Sequence, residues 1–205
     1  LHLLYSRFWH KFFNKQGYIK HNEPFKKLIN PGMILAGSEK MSKSRGNVVN
    51  PDDIFKEFGA DTLRLYEMFL GPITQDKPWD EKGLKAARKF LDRIILATDY
   101  VGDKDNPTLD LLLNNTIKAV SEEYENMTYN TLISKLMVFN NLALQEKKIG
   151  KGQLLTFIKL LYPICPHLTE EINKEIIKSS EPLITSSFPK YNDKLTIKSD
   201  FELIF

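Results

Sequence analysis

The chain has 205 residues, 42% hydrophobic and 27% charged, which fits an ordinary globular protein long enough to bury a sizeable core. A net charge of +3 and a pI near 8.7 tolerate a nucleic-acid partner without demonstrating one, so such a partner has to be argued from where the cations sit. Cys165 is the only cysteine, which excludes a disulfide framework or a Cys-rich zinc site and fits a reducing cytoplasm; no run reaches the length of a membrane span and no signal-peptide pattern occurs.

Residues 1–16 place Leu1, Leu4, Tyr5, Phe8, Trp9, Phe12 and Phe13 at helical spacing. This predicts a helix whose aromatic stripe is core, stopped at Gly17. His2 and His10 share no metal-ligand spacing with a third residue and read as structural or exposed. Pro24–Ile29 reads as a short helix ended by Asn30-Pro31-Gly32, and Met33-Ile34-Leu35 as a buried strand. That strand delivers the chain to a loop, in the place where α/β folds hold their ligands.

The loop is Lys40-Met41-Ser42-Lys43-Ser44, followed by Arg45-Gly46-Asn47. Two lysines three residues apart, among small polar residues, form a compact cationic clamp. Lysine is a point charge on a flexible stem, suited to following phosphates that move during a reaction. Gly37 and Gly46 give backbone freedom, and Ser38, Ser42 and Ser44 supply hydroxyl donors with little bulk.

Beyond the loop, Asn50 caps a helix with Pro51 at its first position and Asp52 and Asp53 in its first turn, running to about Phe58 and stopping at Gly59. This helix start explains the two aspartates more simply than a metal pair, and no protein-bound metal is expected. A second helix follows from about Asp61, with Leu63, Tyr66, Phe69 and Leu70 on one side, and ends at Gly71-Pro72. Residues 73–79 form a loop, and Asp80 caps a long helix to about Val101 with Leu84, Ala87, Leu91, Ile94, Ile95 and Thr98 as its apolar face. Lys82, Lys85, Lys89 and Arg93, with Arg88 beside them, make a cationic row matching the footprint of an RNA-backbone contact.

Asp103–Pro107 reads as the clearest linker. Four amphipathic helices follow: Leu109 to Met127, Leu132 to Ala143, Leu154 to Tyr162, and, after Pro163 and Pro166, Leu168 to Ile176. Short connections between them imply an up-and-down bundle or a close relative. Residues 179–200 are an irregular exit segment, and Phe201–Phe205 alternates like a strand. The chain opens in helical rhythm on Leu1-His2-Leu3-Leu4 without a Met, so it is expected to be part of a longer protein.

Lys40–Ser44, extended through Asn47-Val48-Val49-Asn50-Pro51-Asp52-Asp53, resembles the KMSKS signature of class I aminoacyl-tRNA synthetases in its leucyl form. Gly59–Phe69, Gly71-Pro72 and Lys77-Pro78-Trp79 are similar to the stem-contact segment of that family, and Tyr129-Asn130-Thr131 and Pro163–Glu171 to its anticodon-binding domain. Valyl, isoleucyl and methionyl enzymes share the lysine loop, but the Tyr66–Phe69 and Lys77–Trp79 contexts fit the leucyl type better.

The resemblance implies a mainly α chain: residues 1–79 as the end of a Rossmann-type α/β catalytic domain with the KMSKS loop and stem-contact helices, 80–178 as an α-helical anticodon-binding bundle, and 179–205 as an exit segment. It further implies a leucine–tRNA ligase. Its substrates are ATP (with Mg2+), leucine and tRNA-Leu, and it is a cytoplasmic monomer as the full protein.

On this reading Lys40 and Lys43 are catalytic. Lys40, Met41, Ser42, Lys43 and Ser44 hold ATP, with Met41 presenting backbone to the adenine, and Lys82, Lys85, Arg88, Lys89 and Arg93 meet tRNA. The sequence departs from the family in lacking a His-x-Gly-His turn, since His2, His10, His21 and His167 stand far from that spacing, and in carrying Arg45 where lysine is common. These residues are therefore expected to complete an active site they do not form alone. The competing expectation is a free-standing tRNA-binding module without adenylate chemistry.

Overall fold

The computed structural model describes residues 1–195, so the strand expected at Phe201–Phe205 lies outside the described residues. The chain divides into two compact units, Leu1–Pro31 and Gly32–Phe205.

In the first unit, α1 (His2–Lys15) ends as expected: Gly17 takes φ 80°, and the Tyr18 amide reaches back to the Phe13 carbonyl at 3.0 Å. The aromatic stripe is not core. No residue of α1 is buried, and Phe8 and Trp9 are 62% and 53% exposed. The rings pack on one another along the helix instead, Trp9 lying 5.7–5.9 Å from Phe8, Phe12 and Phe13. A unit this short has too little chain to cover such a face. Polar ties hold the segment after α1: Glu23 accepts two hydrogen bonds from Arg7 (2.8 and 2.7 Å) and pairs with Lys11 at 3.1 Å. The helix expected over Pro24–Ile29 does not form. Six residues seldom repay helix nucleation, and Pro31 disfavours the helical conformation of the residue before it.

In the second unit, β1 (Ile34–Ala36) pairs antiparallel with β2 (Glu39–Lys40) and parallel with β3 (Lys77–Pro78). The third strand corrects the expectation of a plain loop over residues 73–79. It is recruited from a distance: the Lys77 amide donates to the Met33 carbonyl at 2.9 Å and the Trp79 amide to Leu35 at 2.7 Å. Gly32 permits this approach, because a Cβ there would lie 2.1 Å from the Gln75 backbone.

α2 (Pro51–Phe58) is capped by Asn50, whose side chain accepts the Asp52 amide, and α4 (Glu81–Thr98) by Asp80, which accepts the Lys82 amide. Such caps contribute about 1 kcal/mol each. Between them, α3 (Ala60–Phe69) buries Leu63, Leu65 and Tyr66. The inner face of α4 is Leu84, Ala87, Phe90, Leu91, Ile94 and Ala97, whereas the expected Ile95 is 45% exposed and Thr98 is half-buried. The stripe is rotated because Phe90 and Ala97, at helical spacing from Ile94, face the bundle.

α5 (Pro107–Asn126), α6 (Tyr129–Glu146), α7 (Lys151–Leu161) and α8 (Pro166–Ile172), continued by a π-turn over Asn173–Ile177, complete the bundle. One core runs from Leu63 on α3 to Leu183 beyond α8, with Phe139 and Phe157 stacked at 5.2 Å in its middle. The expected linker over Asp103–Pro107 is not loose. β4 (Val101–Gly102) pairs with β5 (Ile149–Gly150), and Asn106 is buried, capping α5 and bonding Gln153 and Lys148. The exit segment, too, is strapped down: Asn114 and Asn192 exchange hydrogen bonds of 3.0 and 2.7 Å.

Candidate functional site

The lysine loop leaves β2 at Lys40 and enters α2 at Asn50. Lys40 and Lys43 are both exposed, and neither ammonium has an ion-pair partner among the described residues. Lys43–Arg45 form one turn of 3-10 helix, closed by Gly46 in the left-handed region at φ 65°, ψ 15°. The Ser42 and Ser44 hydroxyls share a hydrogen bond of 2.8 Å. Met41 turns inward: it lines a cavity of about 90 Å³ with Ile34, Val49, Pro51, Ile54 and Trp79, which seats the loop on the small sheet and on α2.

Two residues assigned no role from the sequence shape this loop. Asn47 accepts the Ser42 amide at 2.8 Å and donates to the Lys40 carbonyl at 3.4 Å. Glu39 takes the guanidinium of Arg45 at 2.6 Å. The signal for Asn47 was available, since an Asn after Gly46 is turn chemistry. The Glu39 pairing follows only from the hairpin, which brings positions 39 and 45 together.

The arrangement holds no activated nucleophile. Its chemical capacity is to place two unpaired ammonium groups and two hydroxyls around an anion, and a flexible exposed loop can do so as charge develops.

On α4, Lys82, Lys85, Lys89 and Arg93 are exposed and fall within about 80° of the helix surface, opposite the buried face. Arg88 lies about 60° outside that row. It is engaged elsewhere, donating to Asp92 at 2.9 Å and to the Phe58 carbonyl at 3.3 Å, so it ties α4 to the end of α2. The structure thus brings four of the five expected cations together and gives the fifth structural contacts.

Between the loop and the bundle, α3 grips the turn joining α7 to α8. Asp61, 7% exposed, accepts the Leu168 amide at 2.7 Å and contacts His167 Nδ1 at 2.9 Å. Arg64 donates to the Ile164 and Pro163 carbonyls at 2.8 and 3.1 Å. Cys165 is enclosed by this joint, and burial, reinforced by the Asp61 charge, pushes its thiol far above the usual range. It stays protonated at neutral pH and is structural rather than nucleophilic.

Residues 5–80 match the family described as tRNA synthetases class I (I, L, M and V), and residues 111–205 match the anticodon-binding domain of tRNA ligase. The two matched segments together cover most of the chain, one similar to class I tRNA synthetases and the next to their anticodon-binding domain. The lysine loop falls in the first matched segment, and most of α5 with all of α6–α8 in the second, with the α4 row between them. The mainly helical fold also resembles a solved synthetase, in the crystal structure of the ternary complex of Agrobacterium radiobacter K84 agnB2 LeuRS with tRNA and LeuAMS. The TM-score is 0.82 at 29% identity, over 96% of this chain and 28% of that one. This chain therefore spans less than a third of the length of the synthetase it matches.

Proposed function

We propose that this chain is the part of a leucine–tRNA ligase that supplies the pyrophosphate-stabilising loop and the tRNA-binding helical domain, working in the cytoplasm on leucine, ATP with its Mg2+, and tRNA-Leu. One observation carries the reading. Among the described residues Lys40 and Lys43 have no ion-pair partner, and they stand on a shaped loop within a chain that resembles a LeuRS over nearly its whole length.

In the reaction, a carboxylate oxygen of leucine attacks the α-phosphorus of ATP. A new O–P bond forms, the bond from that phosphorus to the oxygen bridging to the β-phosphorus breaks, and pyrophosphate leaves. A ribose hydroxyl of the tRNA then takes the leucyl group from the adenylate and AMP departs. Negative charge grows on the pyrophosphate in the first step, so the ammonium groups of Lys40 and Lys43 bind the transition state better than ground-state ATP. Such differential binding raises the rate rather than merely lowering KM. Ser42 and Ser44 shape the loop and donate hydrogen bonds. Lys82, Lys85, Lys89 and Arg93 neutralise tRNA phosphates, and α5–α8 hold the anticodon arm. Support for leucine over isoleucine, valine or methionine comes from the Tyr66–Phe69 and Lys77–Trp79 strings and from the likeness to a LeuRS.

The test is ATP–pyrophosphate exchange by the full-length ligase that contains this segment, with leucine, isoleucine, valine and methionine in turn. Exchange with leucine, reduced on the order of 100-fold by Lys43→Ala with tRNA affinity unchanged, is the expected result. Exchange driven by another of these amino acids contradicts the leucine assignment, and a Lys43→Ala enzyme at full rate contradicts the role of the loop. Reversing Lys85, Lys89 and Arg93 together weakens tRNA binding and flattens its dependence on salt. An unchanged slope removes the α4 row from the RNA interface.

A further inference from the structure

Asn47 lies outside the five signature residues, yet its side chain touches the backbone on both sides of Met41. Its Oδ1 accepts the Ser42 amide at 2.8 Å, and its Nδ2 faces the Lys40 carbonyl at 3.4 Å, at the long end of hydrogen bonding. These contacts bracket Met41 and fix the backbone between the two lysines. Gly46, in the left-handed region, reverses the chain so that Asn47 points back into the loop.

The other ties are weaker holds. Glu39 and Arg45 pair with both side chains more than half exposed (62% and 57%), and such surface pairs contribute about 0–1 kcal/mol. The Ser42–Ser44 contact joins two exchangeable hydroxyls two residues apart, within one arm. Asn47 is half-buried, so water competes less for its amide than for the exposed Glu39–Arg45 pair.

Resting on the reading of this loop as a pyrophosphate clamp, we propose that Asn47 is the positioning residue of that clamp. Its amide sets the Lys40–Lys43 backbone so that both ammonium groups meet the same leaving anion. The role is distinct from stability: both bonds of Asn47 go to the backbone of the loop itself, and Asn47 is not among the buried core residues. Misplacing a charged group by about 1 Å is enough to cost on the order of 100-fold in rate.

The experiment uses the full-length ligase and three variants, Asn47→Ala, Asn47→Asp and Lys43→Ala. For each it records the kcat and KM of ATP–pyrophosphate exchange, the Tm, and the rate of trypsin cleavage after Lys43 and Arg45. Asn47→Ala is expected to lower kcat on the order of 100-fold, to leave the KM for leucine and the Tm unchanged, and to speed cleavage at both sites. Asn47→Asp keeps an acceptor for the Ser42 amide and restores resistance to trypsin, while its added negative charge leaves exchange below the wild-type rate.

If Asn47→Ala keeps kcat within about twofold while Lys43→Ala is impaired, the positioning role is overturned and the clamp stands. If both variants exchange normally, the clamp reading itself falls. A loss of kcat that comes with a lowered Tm shows general damage and also overturns the proposal.

Discussion

Two asparagines each tie down a loop, and they work under opposite conditions. Asn106 is 5% exposed; its backbone exchanges hydrogen bonds with Gln153, and its side chain caps α5 and reaches the Lys148 carbonyl. Asn47 is half-buried and ties an exposed segment that carries Lys40 and Lys43. The first arrangement removes polar groups from water, and each must then be satisfied or cost free energy. The second leaves most groups in contact with water, so opening costs little. The fold spends its strongest polar network where the bundle must hold its shape, and its weakest where a ligand has to enter.

The largest expected effect tests the buried side of this contrast. Gln153→Ala removes the acceptor shared by the Asn106 and Gly150 amides and the donor to the Asn106 carbonyl. Leaving those groups buried and unpaired should lower unfolding stability by about 2–4 kcal/mol, read by urea denaturation. A loss below about 1 kcal/mol would show that water reaches this joint.

Asn47→Ala in the same assay should change stability by no more than about 0.5 kcal/mol, as expected for a surface loop. A loss as large as that of Gln153→Ala would erase the distinction between the two regions.

The smallest effect concerns a tie with no burial at all. Arg7 and Lys11 hold the Glu23 carboxyl down to about 2, mainly through the Arg7 hydrogen bonds. A carboxylate with a lowered pKa contributes what stability it has above its ordinary value near 4.5, and that contribution disappears as pH falls through about 2. NMR titration of the Glu23 carboxyl should therefore show a midpoint well below 4.5, with the link between α1 and Glu23 released only in strong acid. A midpoint at the ordinary value would show that the pair does not persist in water.

Much of this molecule was legible in its sequence because the relevant physics is local. Asn50-Pro51 and Asp80 announced helix starts through capping, and the periodicity of Leu109, Leu113, Ile117 and Val120 identified a face that is buried. The same Asn-Pro signal stood at Asn106-Pro107, but the charged residues before it suggested a linker and masked the cap. What stayed illegible depends on partners far away in sequence. Gln153 meets Asn106 across 47 positions, Arg88 finds the Phe58 carbonyl across 30, and Lys77 joins a sheet begun at Ile34. The stripe on α1 shows the limit of periodicity, which finds an apolar face without saying what covers it.

At the site, residue types gave the cations and the loop, and the resemblance gave them roles. Of the ties that set the loop's shape, turn chemistry pointed to Asn47, and the Glu39–Arg45 pair came only from the hairpin.

Hydrogen exchange at single amides, followed in the full-length ligase with and without Mg-ATP and leucine, tests the central contrast most directly. The Asn106 and Gly150 amides should exchange only with global unfolding, and the Ser42 amide far faster through local opening of the loop, slowing when the substrates bind. A Ser42 amide as protected as Gly150, or one indifferent to the substrates, would contradict a loop that opens to receive the nucleotide and closes on its pyrophosphate.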